Sequence, residues 1–248
     1  MKKFLSLALA MLMFSVLFCG CENADPQKDN SASAEVTTAP ADEVDYDAVY
    51  SEILENTYSL IDSKSNITSA QEGQTGIIEA IAGLDNDIAF EVVGYSIEDI
   101  TGDGVKELVI GAVCNNENSW FDEPDLFAVY TIANDKPWLL IDGWARNSYQ
   151  LLDDGTFLYE GSGGAAYTNI GIFRVSQGGT ALMCNEYYFT EPDENHANAI
   201  VVYYNTLGKP YSNQSEKTDK GLSDFSDIRE GYKEKLVTLN LVPFSEYK

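Results

Sequence analysis

Short strand-like segments dominate the chain after residue 88 and constrain its fold more than any other feature. Turn signals separate them, among them Asn134-Asp135, Asp153-Asp154-Gly155 and Gly178-Gly179. Sequential strands with short links favour an antiparallel meander, and no long helix intervenes that would indicate a doubly wound α/β fold. The predicted strands cover residues 90–98, 107–114, 126–133, 137–144, 147–152, 156–160, 168–175, 180–189 and 199–204.

Helical spacing flanks these strands on both sides. Asp45 or Asp47 is a candidate cap for a first helix, and residues 76–84 predict a short second one. Residues 223–236 carry apolar residues on one face and predict a last helix capped by its first residue, Ser223, with 239–244 as a final strand or packed tail. The expected fold class is α+β, with N-terminal helices, a curved antiparallel β-sheet meander and a C-terminal helix, the helices covering one face of the sheet.

The N-terminus has the pattern of a lipoprotein signal peptide, predicted over residues 1–20. Basic Met1-Lys2-Lys3 precedes a 15-residue, mostly apolar region, 4–18, and then Cys19-Gly20-Cys21. A small residue before a cysteine resembles a bacterial lipobox, which makes Cys21 the predicted lipidation site, carrying acyl chains such as palmitate. The apolar run is too short to span a membrane. We therefore expect an extracytoplasmic protein that is lipid-anchored to the cell membrane; the alternative is an ordinary secretory signal with a coincidental cysteine.

Two further regions follow the predicted signal peptide. Residues 21–46 are rich in Ala, Ser, Thr, Asp and Glu and lack apolar periodicity, which predicts a disordered acidic tether. Residues 47–248 have the length of a single α+β domain.

Residues 99–107, between two predicted strands, read Asp-Ile-Thr-Gly-Asp-Gly-Val-Lys-Glu. Ca²⁺ takes six to eight oxygen ligands from carboxylates, carbonyls and water. Oxygen-bearing side chains stand at positions 1, 3, 5 and 9, and the backbone carbonyl of position 7 would add a further ligand. The predicted metal ligands are Asp99, Thr101, Asp103, Val105 and Glu107. The alternative is an Asp/Gly-rich turn that holds no ion.

The spacing of this loop distinguishes it from an EF-hand, which requires an acidic residue at position 12, where this chain has Ile110. The pattern D-x-T-x-D-G-x-x-E followed by L-V-I-G resembles the calcium loop of FG-GAP and VCBS-type repeats. That resemblance covers about 20 residues and implies the same five ligands. More loosely, the layout is similar to uncharacterised Gram-positive bacterial lipoproteins that combine such a loop with a G-S-G-G-A stretch and a C-terminal helix.

The net charge of −25 restricts the class of partner. Nucleic-acid binding is excluded because it requires clustered Lys and Arg to neutralise phosphates. A cationic partner or metal ions are compatible with the charge, and so is a merely solvated acidic surface. The membrane would be reached through the lipid anchor.

Two other stretches are candidates for function. Trp120 and Phe121 lie in an acidic stretch and are a candidate contact for a sugar or peptide; alternatively, these aromatic side chains pack onto the core. Residues 160–166, Glu-Gly-Ser-Gly-Gly-Ala-Ala, favour a bend or bulge in the sheet over a phosphate-binding loop, since no Lys and no helix follow.

Catalytic motifs are weak in this chain. Ser162 lacks the glycine two residues earlier that a nucleophile elbow needs, and His196, the one histidine, lies in a polar stretch. Cys114 and Cys184 are candidates for a disulfide, although buried thiols are the favoured interpretation. The sequence predicts a calcium-stabilised binding module with an unknown protein or glycan partner and no assigned catalytic residue. The alternative is a carbohydrate-active or cell-wall hydrolase that uses an acidic pair.

Overall fold

The computed structural model describes residues 44–63, 69–114, 121–193, 196 and 199–247. The predicted signal peptide, Cys21, most of the predicted tether and Trp120 lie outside these residues. Within the described part of the chain, no helix combines the length and the apolar character needed to cross a membrane.

Three helices precede the first strand: α1 (Tyr46–Asp62), α2 (Thr75–Ile81) and α3 (Asn86–Val92). The backbone N–H of Ala48 donates to Asp45 Oδ1 at 3.1 Å, so Asp45 rather than Asp47 caps α1. The prediction of strand at residues 90–92 is wrong because α3 occupies them. Ala89 and Val92 are buried on one side of this helix, and so short an apolar run is compatible with either helix or strand.

The strands form two antiparallel sheets instead of the one meander predicted, although the mixed α+β class is confirmed. The first sheet has the order β11-β1-β2-β3-β4. Its strands are β1 (Val93–Glu98), β2 (Glu107–Ala112), β3 (Leu126–Ala133), β4 (Lys136–Asp142) and β11 (Val242–Pro243). The β3–β4 turn is the predicted Asn134-Asp135, both residues with positive φ, as a tight two-residue hairpin requires.

The second sheet has the order β10-β9-β8-β7-β6-β5. Its strands are β5 (Asn147–Leu151), β6 (Phe157–Gly164), β7 (Tyr167–Val175), β8 (Leu182–Pro192), β9 (Ile200–Asn205) and β10 (Glu216–Lys217). The predicted turn at residues 153–155 is confirmed, since β5 and β6 pair on either side of it. The bulge predicted in residues 160–166 is also confirmed, by a register shift between Ser162 and Gly164.

The division into two sheets occurs at Gly143, just after β4. The Gly143 N–H donates to Phe127 O at 2.8 Å, and a Cβ on Gly143 would lie 2.2 Å from Leu126 O. Trp144 and Asn147 then exchange backbone hydrogen bonds in a tight turn. This turn redirects the chain, so β5 pairs with β6 and not with β4.

Three apolar clusters hold these layers together. The first joins α1, α2 and α3 to one face of the first sheet and contains Tyr50, Ile61, Leu108, Ile110 and Phe244. The second lies between the sheets and contains Val109, Val129, Ile141, Leu151 and Phe157. The third joins the second sheet to α4 (Leu222–Lys233) and contains Leu158, Ile170, Val202 and Phe225.

Helices therefore cover faces of both sheets, and the prediction that all helices cover one face is wrong. The predicted cap at Ser223 is also wrong, because α4 begins at Leu222 with Gly221 as its N-cap. Gly221 N–H donates to Asp224 Oδ2 at 2.7 Å, which satisfies a backbone donor at this helix end.

Candidate functional site

The predicted metal loop connects β1 to β2, whose last paired residues are Glu98 and Glu107. Gly102 and Gly104 have φ of 77° and 90°, a conformation that glycine adopts without steric cost. Their N–H groups donate to Asp99 Oδ1 at 2.7 Å and Asp99 Oδ2 at 2.9 Å. The Val105 N–H donates to Asp103 Oδ1 at 2.9 Å. The carboxylates of Asp99 and Asp103 thus accept hydrogen bonds from the loop backbone and hold its conformation.

Glu107 is the buried member of the predicted ligand set, with 1% of its surface exposed. Its Oε2 accepts from the Ile100 N–H at 3.1 Å, and its Oε1 lies 3.5 Å from the hydroxyl of Thr131. Burial is the main cause that raises the pKa of Glu107 to about 7; the hydrogen bond from the Ile100 N–H lowers it, and the negative charges of Asp103 and Asp99 add to the rise. A nearby cation would relieve both effects.

The predicted ligands have the donor chemistry that Ca²⁺ requires but do not converge as a preformed cluster. Among the described residues, no three acidic, histidine or cysteine side chains come together as a metal-binding group. The side-chain hydroxyl of Thr101, however, is buried, and it neither donates nor accepts a hydrogen bond within the described residues. An oxygen ligand without a protein partner fits an ion held by the loop. The groups that would hold it are the side chains of Asp99, Thr101, Asp103 and Glu107 and the carbonyl of Val105.

The raised pKa of Glu107 predicts how stability depends on pH when calcium is removed. Between the ordinary carboxyl pKa of 4.5 and the folded value of about 7, the native state binds more protons than the unfolded state. The free energy of unfolding should therefore fall as pH rises through this window. Urea unfolding in EGTA at pH 5, 6 and 7.5 measures it, and Glu107→Gln should flatten the decline. An unchanged decline in that variant would contradict the assignment to Glu107.

A cleft of about 370 Å³ opens between α2, the chain after residue 121, the Trp144 turn and α4. Aromatic and charged side chains share its lining. The aromatic residues are Phe121, Phe127 and Trp144, and the charged ones are Glu79, Glu123, Asp125, Glu160 and Arg229. Trp144 is 38% exposed, so its ring is accessible from solvent. This composition of apolar surface with a few polar groups is typical of ligand sites.

Two cations from α4 neutralise part of this acidic lining. Arg229 Nε donates to Glu160 Oε2 at 2.8 Å. Lys233 Nζ donates to Glu123 Oε1 and lies 3.6 Å from Glu160 Oε1. Burial opposes ionisation of Glu123, but the hydrogen bonds from Lys233 and Gln150 more than offset it, so the pKa of Glu123 lies below its usual range. Glu123 is therefore a carboxylate at neutral pH.

Asp125 and Gln150 lie at the centre of the remaining polar contacts. The amide Nε2 of Gln150 donates to Glu123 Oε2 at 2.8 Å and to Asp125 Oδ1 at 2.9 Å. Burial raises the pKa of Asp125 to about 6, the Gln150 hydrogen bond lowers it, and the charges of Glu123 and Glu160 raise it again. Gln150 is 1% exposed, and its Oε1 is buried with no hydrogen-bond partner in the described residues.

Sequence reasoning found part of this cleft. Phe121, the predicted ligand contact, lines it, yet its ring also packs against Phe127 with centroids 5.7 Å apart. The packing of this side chain on the core is therefore observed, and its contact with a ligand stays a prediction. Sequence patterns alone do not single out the lining residues Trp144 and Arg229, because a turn explains the first segment and a helix the second.

The remaining candidates lie elsewhere. His196 is 76% exposed and lies 3.3 Å from Asp193, as expected for a solvated residue. Cys184 carries a free thiol on β8, so it forms no disulfide with Cys114, and burial raises its pKa to about 11. Cys114 Sγ instead donates to Glu123 O at 3.3 Å.

Comparison of the chain with protein-family models, with curated proteins and with solved structures found no match. Function must therefore be inferred from the loop and the cleft.

Proposed function

We propose that this protein is a lipid-anchored extracytoplasmic binding protein whose folded domain receives its ligand in the cleft beside Trp144. The observation that carries the proposal is the composition of that cleft. An accessible indole and Phe121 share the lining with Glu123, Asp125 and Glu160 in a space of about 370 Å³, large enough for a small molecule or one unit of a chain. Aromatic faces and fixed carboxylates together select a ligand that has both apolar and hydrogen-donating groups.

The anchor and the tether explain how such a domain would work at a cell surface. Lipidation at Cys21 holds the protein to the membrane, and residues 21–46 keep the domain away from the bilayer. The strongly acidic chain would be repelled by anionic lipid, so the lipid supplies the attachment. The partner is a glycan or a protein presented outside the cytoplasm, and nucleic acid is not a partner.

Calcium has a structural role in this proposal. The FG-GAP/VCBS-like loop at 99–107 binds Ca²⁺ through Asp99, Thr101, Asp103, Glu107 and the Val105 carbonyl. The support is the buried Glu107 carboxylate and the unsatisfied Thr101 hydroxyl, both of which an ion would compensate. The loop residues are absent from the lining of the cleft, so the ion would stabilise the fold and not touch the ligand.

A second candidate function is hydrolysis of a cell-wall or other carbohydrate chain by an acidic pair. Asp125, with its pKa raised to about 6, has the property of a general acid, and Glu123 lies beside it as a carboxylate. The ion pairs that Glu123 and Glu160 form with Lys233 and Arg229 count against it, because they occupy the groups that would serve as base or nucleophile.

Binding to a panel of glycans and peptides, measured with the full chain in detergent, tests the proposal. Trp144→Ala should weaken any specific binding at least tenfold. Trp138→Ala is the matched control, because Trp138 is 48% exposed on β4 and does not line the cleft. Equal loss in both variants, or loss in neither, would reject the cleft as the binding site. Release of fragments from a glycan, abolished by Asp125→Asn, would instead support the hydrolase.

A further inference from the structure

The cleft has more negative than positive side chains around Asp125. Arg229 is paired with Glu160, and Lys233 with Glu123 and Glu160. Neither cation forms an ion pair with Asp125 within the described residues. The described lining thus has four acids, Glu79, Glu123, Asp125 and Glu160, and one cation, Arg229, while Lys233 reaches Glu123 and Glu160 from α4. Asp125 and Glu79 accept hydrogen bonds from Gln150 and from the Ala145 N–H, but neither forms an ion pair with a cation within the described residues.

Buried hydrogen-bond acceptors next to the cleft, around Gln150, also lack donors. Both N–H groups of the Gln150 amide are used on Glu123 and Asp125, which fixes the orientation of the amide. Its carbonyl oxygen is then left buried without a donor, and the Oε1 of Glu160 has no hydrogen bond either. A buried acceptor without a donor is destabilising. The polar groups around Asp125 therefore lack donors, not acceptors.

We propose that the cleft binds an alkylammonium group, with the cation against Asp125 and Glu123 and the attached carbon chain against Trp144 and Phe121. This inference rests on the proposed function and names the ligand chemistry of the same cleft. An ammonium supplies the missing positive charge, and its N–H groups can donate to the carboxylates of Asp125 and Glu123, which line the cleft. A hydroxyl would supply a donor but leave the charge unbalanced, and an anion would be repelled.

The aromatic lining and the net charge support the same ligand. Cations bind the faces of Trp and Phe, and the interaction strengthens when the cation is desolvated. The charge of −25 also raises the local concentration of cations near the protein and their rate of association. The alkylammonium could belong to a free diamine or to a lysine-type side chain of a peptide, which share the chemistry but not the rest of the molecule.

Isothermal titration of the full chain tests the proposal with three probes. They are 1,5-diaminopentane, the N-acetyl methylamide of lysine, and 1,5-pentanediol as the neutral match of the diamine. We expect saturable one-to-one binding of at least one amine, at least tenfold tighter than the diol. A preference for the diamine assigns a free amine as ligand, and a preference for the lysine derivative assigns a peptide side chain.

Variants separate the cleft from general attraction of cations to an acidic surface. Asp125→Asn keeps the shape of the side chain and should weaken amine binding at least tenfold. Asp219→Asn removes the same charge from an exposed loop and should leave binding unchanged. If Asp125→Asn impairs folding, Trp144→Ala is the second test. It should also weaken amine binding, because it removes the aromatic contact with the carbon chain of the ligand. Full-strength binding in both cleft variants would mean surface attraction and would overturn the proposal.

The two proposals fail in different ways. Equal affinity for diol and diamine, or binding of a neutral saccharide that is lost in Trp144→Ala, would overturn the alkylammonium assignment and leave the binding cleft intact. Failure of every amine also overturns that assignment, while the glycan and peptide panel decides independently whether the cleft binds another ligand.

Discussion

Replacing Phe244 by alanine is expected to lower the free energy of unfolding by about 3–5 kcal/mol, the range for deleting a buried phenylalanine ring. Phe244 is 0% exposed although it lies only four residues from the end of the chain. Its ring packs against Tyr95 with centroids 5.2 Å apart and belongs to the cluster between the N-terminal helices and the first sheet. Alanine would leave a cavity in this cluster, where the C-terminal tail packs against the N-terminal helices and the first sheet.

Val242→Ala is the control for this prediction, because Val242 lies in the same tail and is 39% exposed. Its loss should be below about 1 kcal/mol, as for most exposed substitutions. Urea unfolding followed by tyrosine and tryptophan fluorescence measures both. Similar losses in the two variants would mean that the tail is not held by Phe244, and that β11 pairs with β1 without help from the core.

Saturating Ca²⁺ is expected to stabilise the protein by about 2.7 kcal/mol at a hundredfold excess over its Kd, by mass action. In a domain of about 200 residues this corresponds to a rise in melting temperature of about 5–10 °C. The physical reason is that the ion would bind the folded loop, where Glu107 is buried near Asp99 and Asp103, and would have no such site in the unfolded chain. Melting curves in Ca²⁺ and in EGTA measure the difference.

Asp103→Ala should abolish the shift, because it removes the carboxylate at the centre of the loop together with its hydrogen bond to Val105. Asp219→Ala, which removes an exposed acid elsewhere, should retain the full shift. Identical wild-type melting temperatures with and without Ca²⁺ would reject calcium binding, and the loop would then be an Asp/Gly turn held by its own hydrogen bonds.

Local features of the fold were predictable from the sequence because each depends on a few neighbouring residues. Asn134-Asp135 and Gly155 mark hairpin turns since they adopt positive φ with little cost. The glycines of residues 160–166 likewise predicted the bulge in β6. The position of the loop at 99–107 between two strands was also predictable, because its glycines and aspartates are local turn signals.

The division into two sheets and the composition of the cleft could not be predicted in this way. Alternation shows that a strand has two faces but not which strand lies beside it, and the turn at Trp144 separates two segments that look like neighbours. Glu123, Glu160 and Arg229 line the cleft together, and Gln150 bonds to Glu123 beside it, although more than 100 residues separate Glu123 from Arg229. Such contacts depend on the packing of sheets and helices, which single-sequence patterns do not specify.

Gly155, described above as a hairpin residue, also bears on how the domain unfolds. Its backbone passes so close to the metal loop that an added Cβ would lie 3.3 Å from Ile100 O. Ile100 in turn packs in the cluster between the sheets. The first hairpin of one sheet and the first hairpin of the other are therefore neighbours, and loosening one exposes the other. We expect amide hydrogen exchange in β5 and β6 to slow when Ca²⁺ is added, as the two sheets open in a single cooperative event.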